Sequence, residues 1–228
     1  MLGNDIVDVS FCEPPAYRNL RYLDRVCTPE EADGVRRSID PVRALALIWA
    51  SKEAAYKLLS KYLPECHFVP RQFVIEIEKR DAVQFDKKLS VLYRGVQTEV
   101  SIFTEERWLH AVTLVPAMKI RWMVREIEKC SLRGRKASSE SEAVRFLAKE
   151  LLEELCLEEL SLQFEGRVPK LKHNDGCYAG VDVSLAHHGA FAAAAIAWPA
   201  CCSESQPWGD ADFAEIRNSE AVCSTCTA

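Results

Sequence analysis

The 228-residue sequence has no apolar run that approaches the about 18 residues needed to cross a membrane. Its first residues, 1–5, do not form the charged and then apolar start of a secretory signal. Basic residues are not in excess, since 29 Lys and Arg stand against 34 Asp and Glu, for a formal net charge of −5. The mildly acidic balance argues against non-specific nucleic-acid binding. We therefore expect a cytoplasmic protein with neither membranes nor nucleic acids as partners.

The composition is that of a globular protein. A hydrophobic fraction of 48% with 28% charged residues excludes a largely disordered chain. The length allows one large domain or two small ones. Of the ten cysteines, the eight before Cys223 are scattered without a repeating spacing, and we expect them to be reduced. Cys223 and Cys226 have the spacing of half a zinc knuckle, but no second ligand pair is well placed, so we expect a loose tail after Pro199.

The hydrophobic pattern predicts two series of elements. The first series begins with a strand at 4–9. Three helices follow, at 18–26, from 28 and at 42–59, and then four strands, at 73–78, 90–93, 99–103 and 108–115. Thr28 and Glu31 have the spacing of a capping box. The second series begins with a strand at 120–124 and a charged connector at 126–136. A helix at 139–156 follows, and then three strands, at 161–164, 181–186 and 191–198.

The two series end alike. Trp108 is followed by Ala111 and Pro116, and Phe191 is followed by an alanine and a proline at the same offsets. Together with the order of the elements, this predicts an α+β fold of two similar lobes, residues 1–118 and 119–200, with small antiparallel sheets packed by helices. Residues 201–228 would form the tail.

Asp5 is the first candidate functional residue. Odd positions share one face of a strand, so Asp5 lies with Gly3 and Val7, opposite Asn4 and Asp8. A carboxylate on an apolar face is costly unless it is paired or binds a cation. A strand-end Asp that caps a neighbouring loop is the alternative.

The long helix supplies the second candidate. One face of this helix carries Ala46, Ala50, Glu53 and Lys57, and the segment around them is rich in apolar residues that we expect to be buried. A surface Glu–Lys pair at this spacing contributes only about 0.3–0.5 kcal/mol and is the alternative interpretation. Two carboxylates from separate elements suit Mg²⁺, which takes its other ligands from water and substrate phosphates. A neighbouring Lys would neutralise charge on a transferred phosphoryl group.

Three segments resemble the signatures of the 4′-phosphopantetheinyl transferases. They are Gly-Asn-Asp-Ile at 3–6, Trp-Ala-Ser-Lys-Glu-Ala-Ala-Tyr-Lys at 49–57, and Ser-Leu-Ala-His-His-Gly at 184–189. The middle segment is the most specific, and the resemblance covers about residues 1–199. It implies a Mg²⁺-dependent enzyme that moves the phosphopantetheine arm of coenzyme A to a serine of an apo acyl or peptidyl carrier protein. Adenosine 3′,5′-bisphosphate is the product released.

The resemblance also implies roles for individual residues. Asp5 and Glu53 match the metal ligands, Glu53 matches the base for the serine, and Lys57 matches the lysine that stabilises the pyrophosphate. His187 matches the histidine that contacts coenzyme A. Arg145 and Arg167, the latter in a Gly-Arg-x-Pro segment, stand where members bind the nucleotide phosphates. Arg133 forms a nearby basic cluster with Arg135 and Lys136, which could bind a phosphate or could be an ordinary solvated loop.

The sequence departs from the family pattern in three places. Val7 stands where two-lobed members often have an acid, so we expect two protein ligands for the metal, with Asp8 as a further candidate. Ala186 replaces the serine before His187, which removes one hydrogen bond to the substrate. The segment order is that of single-lobe holo-acyl-carrier-protein synthases, although the length is that of a two-lobed protein. We therefore expect a monomeric pseudo-dimer with its halves exchanged in sequence.

Two questions stay open on the sequence alone. The chain could instead be an inactive partner that binds coenzyme A and Mg²⁺ or a carrier protein, as Val7 and Ala186 would allow. Arg18, Arg21 and Arg25 share one helical face that could steer an acidic carrier, or could be an ordinary solvated face.

Overall fold

The computed structural model describes residues 1–11, 19–76, 88–176 and 180–200. The chain divides into two compact units, which we call the first unit and the second unit. The first unit is Gly3–Leu114, and the second is Met1–Leu2 with the described residues from Val115 onward. Within the described residues, no helix is both long and apolar enough to span a membrane.

Three helices of the first unit begin at strong N-caps. They are α1 (Leu20–Val26), α2 (Pro29–Arg37) and α3 (Pro41–Leu59), capped by Asn19, Thr28 and Asp40. The predicted capping box is present, because Thr28 accepts from the Glu31 amide and Glu31 accepts from the Thr28 amide. Each cap satisfies amide groups that the first helical turn cannot pair internally.

The first unit is built on a five-stranded sheet. Its strands are β1 (Leu2–Asp8), β2 (Val74–Ile75), β3 (Lys88–Tyr93), β4 (Val96–Thr104) and β5 (Trp108–Leu114), in the order β1-β5-β4-β3-β2. The long helix α3 packs against β5 and buries apolar side chains along most of its length. The stacked rings of Phe73 and Tyr93, 4.4 Å between centroids, fill the far end of this core.

The second unit has one helix and a three-stranded sheet. Its elements are β6 (Met118–Glu126), β7 (Ser131–Leu132), β8 (Arg135–Lys136), α4 (Glu140–Glu154), β9 (Leu160–Glu165), β10 (Val168–His173), β11 (Asp182–His188) and β12 (Phe191–Pro199). The sheet order is β11-β12-β6, and β7–β8 and β9–β10 form separate hairpins. Helix α4 packs against β12, which contains a buried alanine-rich run.

Both units follow the same plan, as the sequence predicts. In each, the first strand pairs with the last, the last also pairs with the strand before it, and the longest helix packs on that last strand. The α+β fold of two similar lobes with small antiparallel sheets packed by helices is therefore confirmed.

Some elements differ from the prediction. The charged connector contains the β7–β8 hairpin, in which Arg133 and Gly134 make the turn with positive φ angles of 50° and 80°. Strand β10 was not predicted at all, and the strand expected at 73–78 comprises Val74–Ile75 within the described part of the chain. Arg18 and the cysteines of the predicted tail lie outside the described residues.

Candidate functional site

Gly3 allows β1 to lie directly against α3. A Cβ atom at this position would stand 2.1 Å from the Ala54 carbonyl oxygen and 2.7 Å from the Leu58 amide nitrogen. Both are backbone atoms, so no side-chain rotation could make room. Because alternate residues of a strand share a face, this close approach also directs Asp5 toward α3.

Asp5, Glu53 and Lys57 meet where β1 passes α3. The Lys57 ammonium lies 2.9 Å from Asp5 Oδ1 and 3.6 Å from Glu53 Oε1. The Asp5 side chain is 7% exposed, whereas those of Glu53 and Lys57 are 27% and 24% exposed. The structure therefore joins the three residues that the sequence selects, with one carboxylate buried and the other two groups open to an incoming molecule.

Burial and charge act in opposite directions on this cluster. Burial raises the pKa of Asp5 to about 7, the nearby Lys57 ammonium opposes that shift, and the Glu53 charge adds to it. Burial lowers the pKa of Lys57, but the two carboxylates outweigh it and leave that pKa above its ordinary value. A second cation beside the carboxylates would relieve their mutual repulsion.

The donor set fits a hard divalent cation. Both carboxylates lie within 3.6 Å of the same ammonium nitrogen, so they face one point at the surface of α3. Two carboxylates, with water and phosphate oxygens completing the shell, form a site that Mg²⁺ commonly uses. Among the described residues no group of three or more His, Cys, Asp or Glu side chains is placed to hold a metal.

Asp8 is engaged elsewhere. Its carboxylate accepts hydrogen bonds from the amide and the hydroxyl of Ser10, at 3.0 and 2.5 Å, in the 3₁₀ turn Val9–Phe11. The side chain therefore caps the turn that follows β1. This contact and the strand alternation agree in directing Asp8 away from the face that carries Asp5.

The first lysine of the 49–57 segment has a different environment from the second. Lys52 is fully buried, and its ammonium donates to Glu31 Oε2 at 2.5 Å and to the Val26 carbonyl at 2.8 Å. Burial lowers the pKa of Lys52, and the Glu31 carboxylate opposes that shift. Sequence reasoning assigned no role to this pair, although a capping-box glutamate next to a buried helix was a usable signal.

A second buried polar contact lies on the other face of β1. Asn4 Nδ2 and His110 Nε2 are 3.1 Å apart, and both side chains are fully buried. Burial, aided by the Lys57 charge, lowers the pKa of His110 to about 3, so the imidazole is neutral at physiological pH. The only sequence signal for this contact is a polar residue within each of two apolar strands.

The remaining predicted residues lie in the second unit. His187, at the end of β11, has Nδ1 3.0 Å from Glu140 Oε2 at the start of α4. The Arg145 guanidinium lies over the Phe164 ring, 5.0 Å from its centroid. Arg167 and Arg133 are exposed in the β9–β10 and β7–β8 turns. The assignment of these four residues to coenzyme A stays a prediction.

Three comparisons with known proteins bear on the identity of the chain. A search of curated proteins finds no match. Among solved structures, the chain is similar to a holo-[acyl-carrier-protein] synthase from Neisseria meningitidis, with 20% identity, coverage of 49% of this chain and 94% of that one, and a TM-score of 0.38. Residues 1–113, which contain Gly3, Asp5, Glu53 and Lys57, match the sequence model of the 4′-phosphopantetheinyl transferase superfamily. Through this region, the chain belongs to the 4′-phosphopantetheinyl transferase superfamily.

Proposed function

We propose that the chain transfers the 4′-phosphopantetheine group of coenzyme A to a serine of an apo acyl or peptidyl carrier protein, with Mg²⁺. The observation that carries this proposal is the meeting of Asp5, Glu53 and Lys57 within a superfamily of such transferases. In the reaction, the serine oxygen forms a bond to the phosphorus that bears pantetheine. The bond from that phosphorus to the bridging oxygen breaks, and adenosine 3′,5′-bisphosphate leaves.

The residues of the first unit supply three actions. Asp5 and Glu53 would hold Mg²⁺, which neutralises charge on the pyrophosphate when bound. Glu53, which is the more exposed of the two carboxylates, takes the serine proton directly or through a water molecule. Lys57 places its ammonium beside both carboxylates and stabilises the charge on the leaving bisphosphate.

The residues of the second unit are proposed to hold coenzyme A. Arg145, Arg167 and Arg133 carry exposed positive charge suited to the nucleotide phosphates, and His187 matches the histidine that the resemblance assigns to coenzyme A. Arg145→Ala or His187→Ala should weaken coenzyme A binding without changing the metal dependence. Lys149→Ala, an exposed change on α4, is the matched control. We further propose that the chain acts as a monomer, which a sizing column tests.

The transfer itself is tested by mass spectrometry of the carrier. The protein is incubated with coenzyme A, MgCl₂ and an apo carrier protein, and the proposal expects a gain of one phosphopantetheine arm that chelator abolishes. Lys57→Ala should lower kcat more than it raises the coenzyme A KM, because its charge acts mainly in the transition state. Coenzyme A binding without any mass gain would instead identify an inactive binding partner, and transfer that persists in chelator would exclude the metal.

A further inference from the structure

Lys52 and Glu31 form an ion pair that is closed to solvent and makes hydrogen bonds to four elements. Both side chains are fully buried, and the Lys52 ammonium also donates to Val26, the last residue of α1. Glu31 Oε2 accepts from the Thr28 amide at 2.8 Å, and Oε1 accepts from the Ile75 amide at 2.7 Å. Buried charges are tolerated when paired in this way, and removal of one partner is costly.

Helix α1 buries few of its own side chains. It comprises seven residues, of which Leu23 and Val26 are buried. A helix this short is not stable by itself and depends on tertiary contacts. The charged hydrogen bond from Lys52 ends at the carbonyl-rich terminus of α1, where a positive charge is most favourable. Lys52 is therefore a principal link between α1 and α3, the helix that carries Glu53 and Lys57.

The opposite side of α1 faces solvent. Leu20, Arg21, Tyr22 and Arg25 are all exposed, and Leu20 is 61% exposed. Two arginines one helical turn apart, with the exposed Asp24 between them, leave this surface net positive beside a large apolar side chain, which suits an acidic protein. We call these four residues the α1 face.

We propose that Lys52 is a positioning residue that fixes the α1 face relative to the catalytic helix α3 and so determines how the acidic carrier protein docks. This inference rests on the proposed function, because it takes the carrier protein of that reaction as the partner of the α1 face. Lys52 touches neither substrate nor metal in this role. Its charge acts only through Val26 and Glu31.

The test compares Glu31→Gln with the double variant Glu31→Gln/Lys52→Met. Glu31→Gln leaves the Lys52 ammonium buried without its carboxylate, and the double variant removes that charge. The α1 exchange of each variant is therefore compared with its own unfolding free energy, and the remaining difference reports the Lys52 ammonium that bonds Val26. Hydrogen exchange of the α1 amides is measured together with the KM for an acidic apo carrier, the KM for coenzyme A and the unfolding free energy. Lys149→Met, on the exposed surface of α4, controls for the loss of a lysine charge.

The proposal expects the double variant to exchange its α1 amides on the order of tenfold faster than Glu31→Gln, the effect of losing a charged hydrogen bond. The carrier KM should rise severalfold and the coenzyme A KM should not change. Unchanged α1 exchange would overturn the proposal, as would faster exchange with an unchanged carrier KM. A purely structural role predicts that both KM values follow the overall stability.

Two further measurements separate this inference from the proposed function. If the wild-type protein transfers nothing, the proposed function fails, and calorimetric binding of the apo carrier then replaces KM as the docking measurement. If the double variant does not fold, native-state hydrogen exchange of the wild-type protein decides. The α1 amides should then open together with those of the first turn of α2, because Lys52 bonds to both regions, and independent opening of α1 would overturn the proposal.

Discussion

Gly3→Ala is expected to cost the folded state about 3 kcal/mol, at the upper end of what an overpacked methyl group costs. The new Cβ would stand 2.1 Å from the Ala54 oxygen, whereas ordinary contact begins at 3.4 Å, so β1 must retreat from α3 by roughly 1 Å. Since both flanking atoms belong to the backbone of a 19-residue helix, little local adjustment is available. The smaller unfolded-state entropy of alanine offsets about 0.4–1 kcal/mol of this cost.

The assay is urea unfolding of the variant beside a matched glycine variant. Gly95 has a φ of +83° and nothing within 4 Å of an added Cβ, so Gly95→Ala measures backbone strain without a clash. That strain costs about 1–2 kcal/mol. If Gly3→Ala is no more destabilising than Gly95→Ala at an unchanged m value, β1 does not lie against α3 as described.

The same displacement should weaken the site. A retreat of roughly 1 Å lengthens the 2.9 Å contact between Lys57 and Asp5 beyond hydrogen-bond range. Binding of Mn²⁺, followed by electron paramagnetic resonance, should therefore weaken in Gly3→Ala and stay unchanged in Gly95→Ala. Equal Mn²⁺ affinity in both variants would show that Asp5 does not contribute to the metal site.

Three further outcomes are expected. Glu53→Gln should remove metal-dependent transfer and leave the fold intact, because it keeps volume and removes charge; full turnover by this variant, measured by the mass of the carrier, would contradict the mechanism. Arg21→Glu with Arg25→Glu should raise the carrier KM, most strongly at low salt, and leave the coenzyme A KM unchanged; unchanged constants would show that this face does not steer the carrier. Because burial raises the pKa of Asp5 from 3.8 to about 7, the folded protein retains a proton there that the unfolded chain has lost. The stability that Asp5 contributes therefore falls as pH rises from about 4 to 7. Over this range, in unfolding experiments with chelator, the unfolding free energy of Asp5→Asn should rise relative to the wild type by up to ~1.4 kcal/mol per pH unit. A difference in unfolding free energy that does not change with pH would contradict this assignment.

Features set by local chemistry were predictable from the sequence. The capping box at Thr28 occurs where expected, and the helix predicted from residue 139 begins directly after its N-cap Ser139, since each cap depends on residues three positions apart. The β7–β8 hairpin was missed because its strands have two residues each and lie in a charged segment. Its turn signal, Arg133-Gly134, was nevertheless present, since a glycine at the second turn position favours a two-residue hairpin.

The site could be predicted as a set of residues but not as a set of contacts. Strand alternation placed Asp5 and Gly3 on one face, and helical spacing placed Glu53 above Lys57. These two faces meet because Gly3 has no side chain to separate them. This role of Gly3 follows from its contact with the Ala54 carbonyl in the fold and not from the sequence. The burial of His110 against Asn4 is a pairing across 106 positions that no local pattern encodes.

The two lysines of the 49–57 segment show why such a motif predicts more than chemistry. Glu53 and Lys57 lie on one side of α3, while Lys52, about 100° away around the helix, points into the protein. Burial lowers the pKa of Lys52, whereas two carboxylates raise that of Lys57, so similar side chains face opposite electrostatic conditions. One lysine joins helices and the other joins the carboxylates of the site. A match to this motif therefore indicates the packing of α3 as much as its chemistry. Asp5 distinguishes the site lysine from the packing lysine, because it contacts Lys57, and it does so only if β1 is in place.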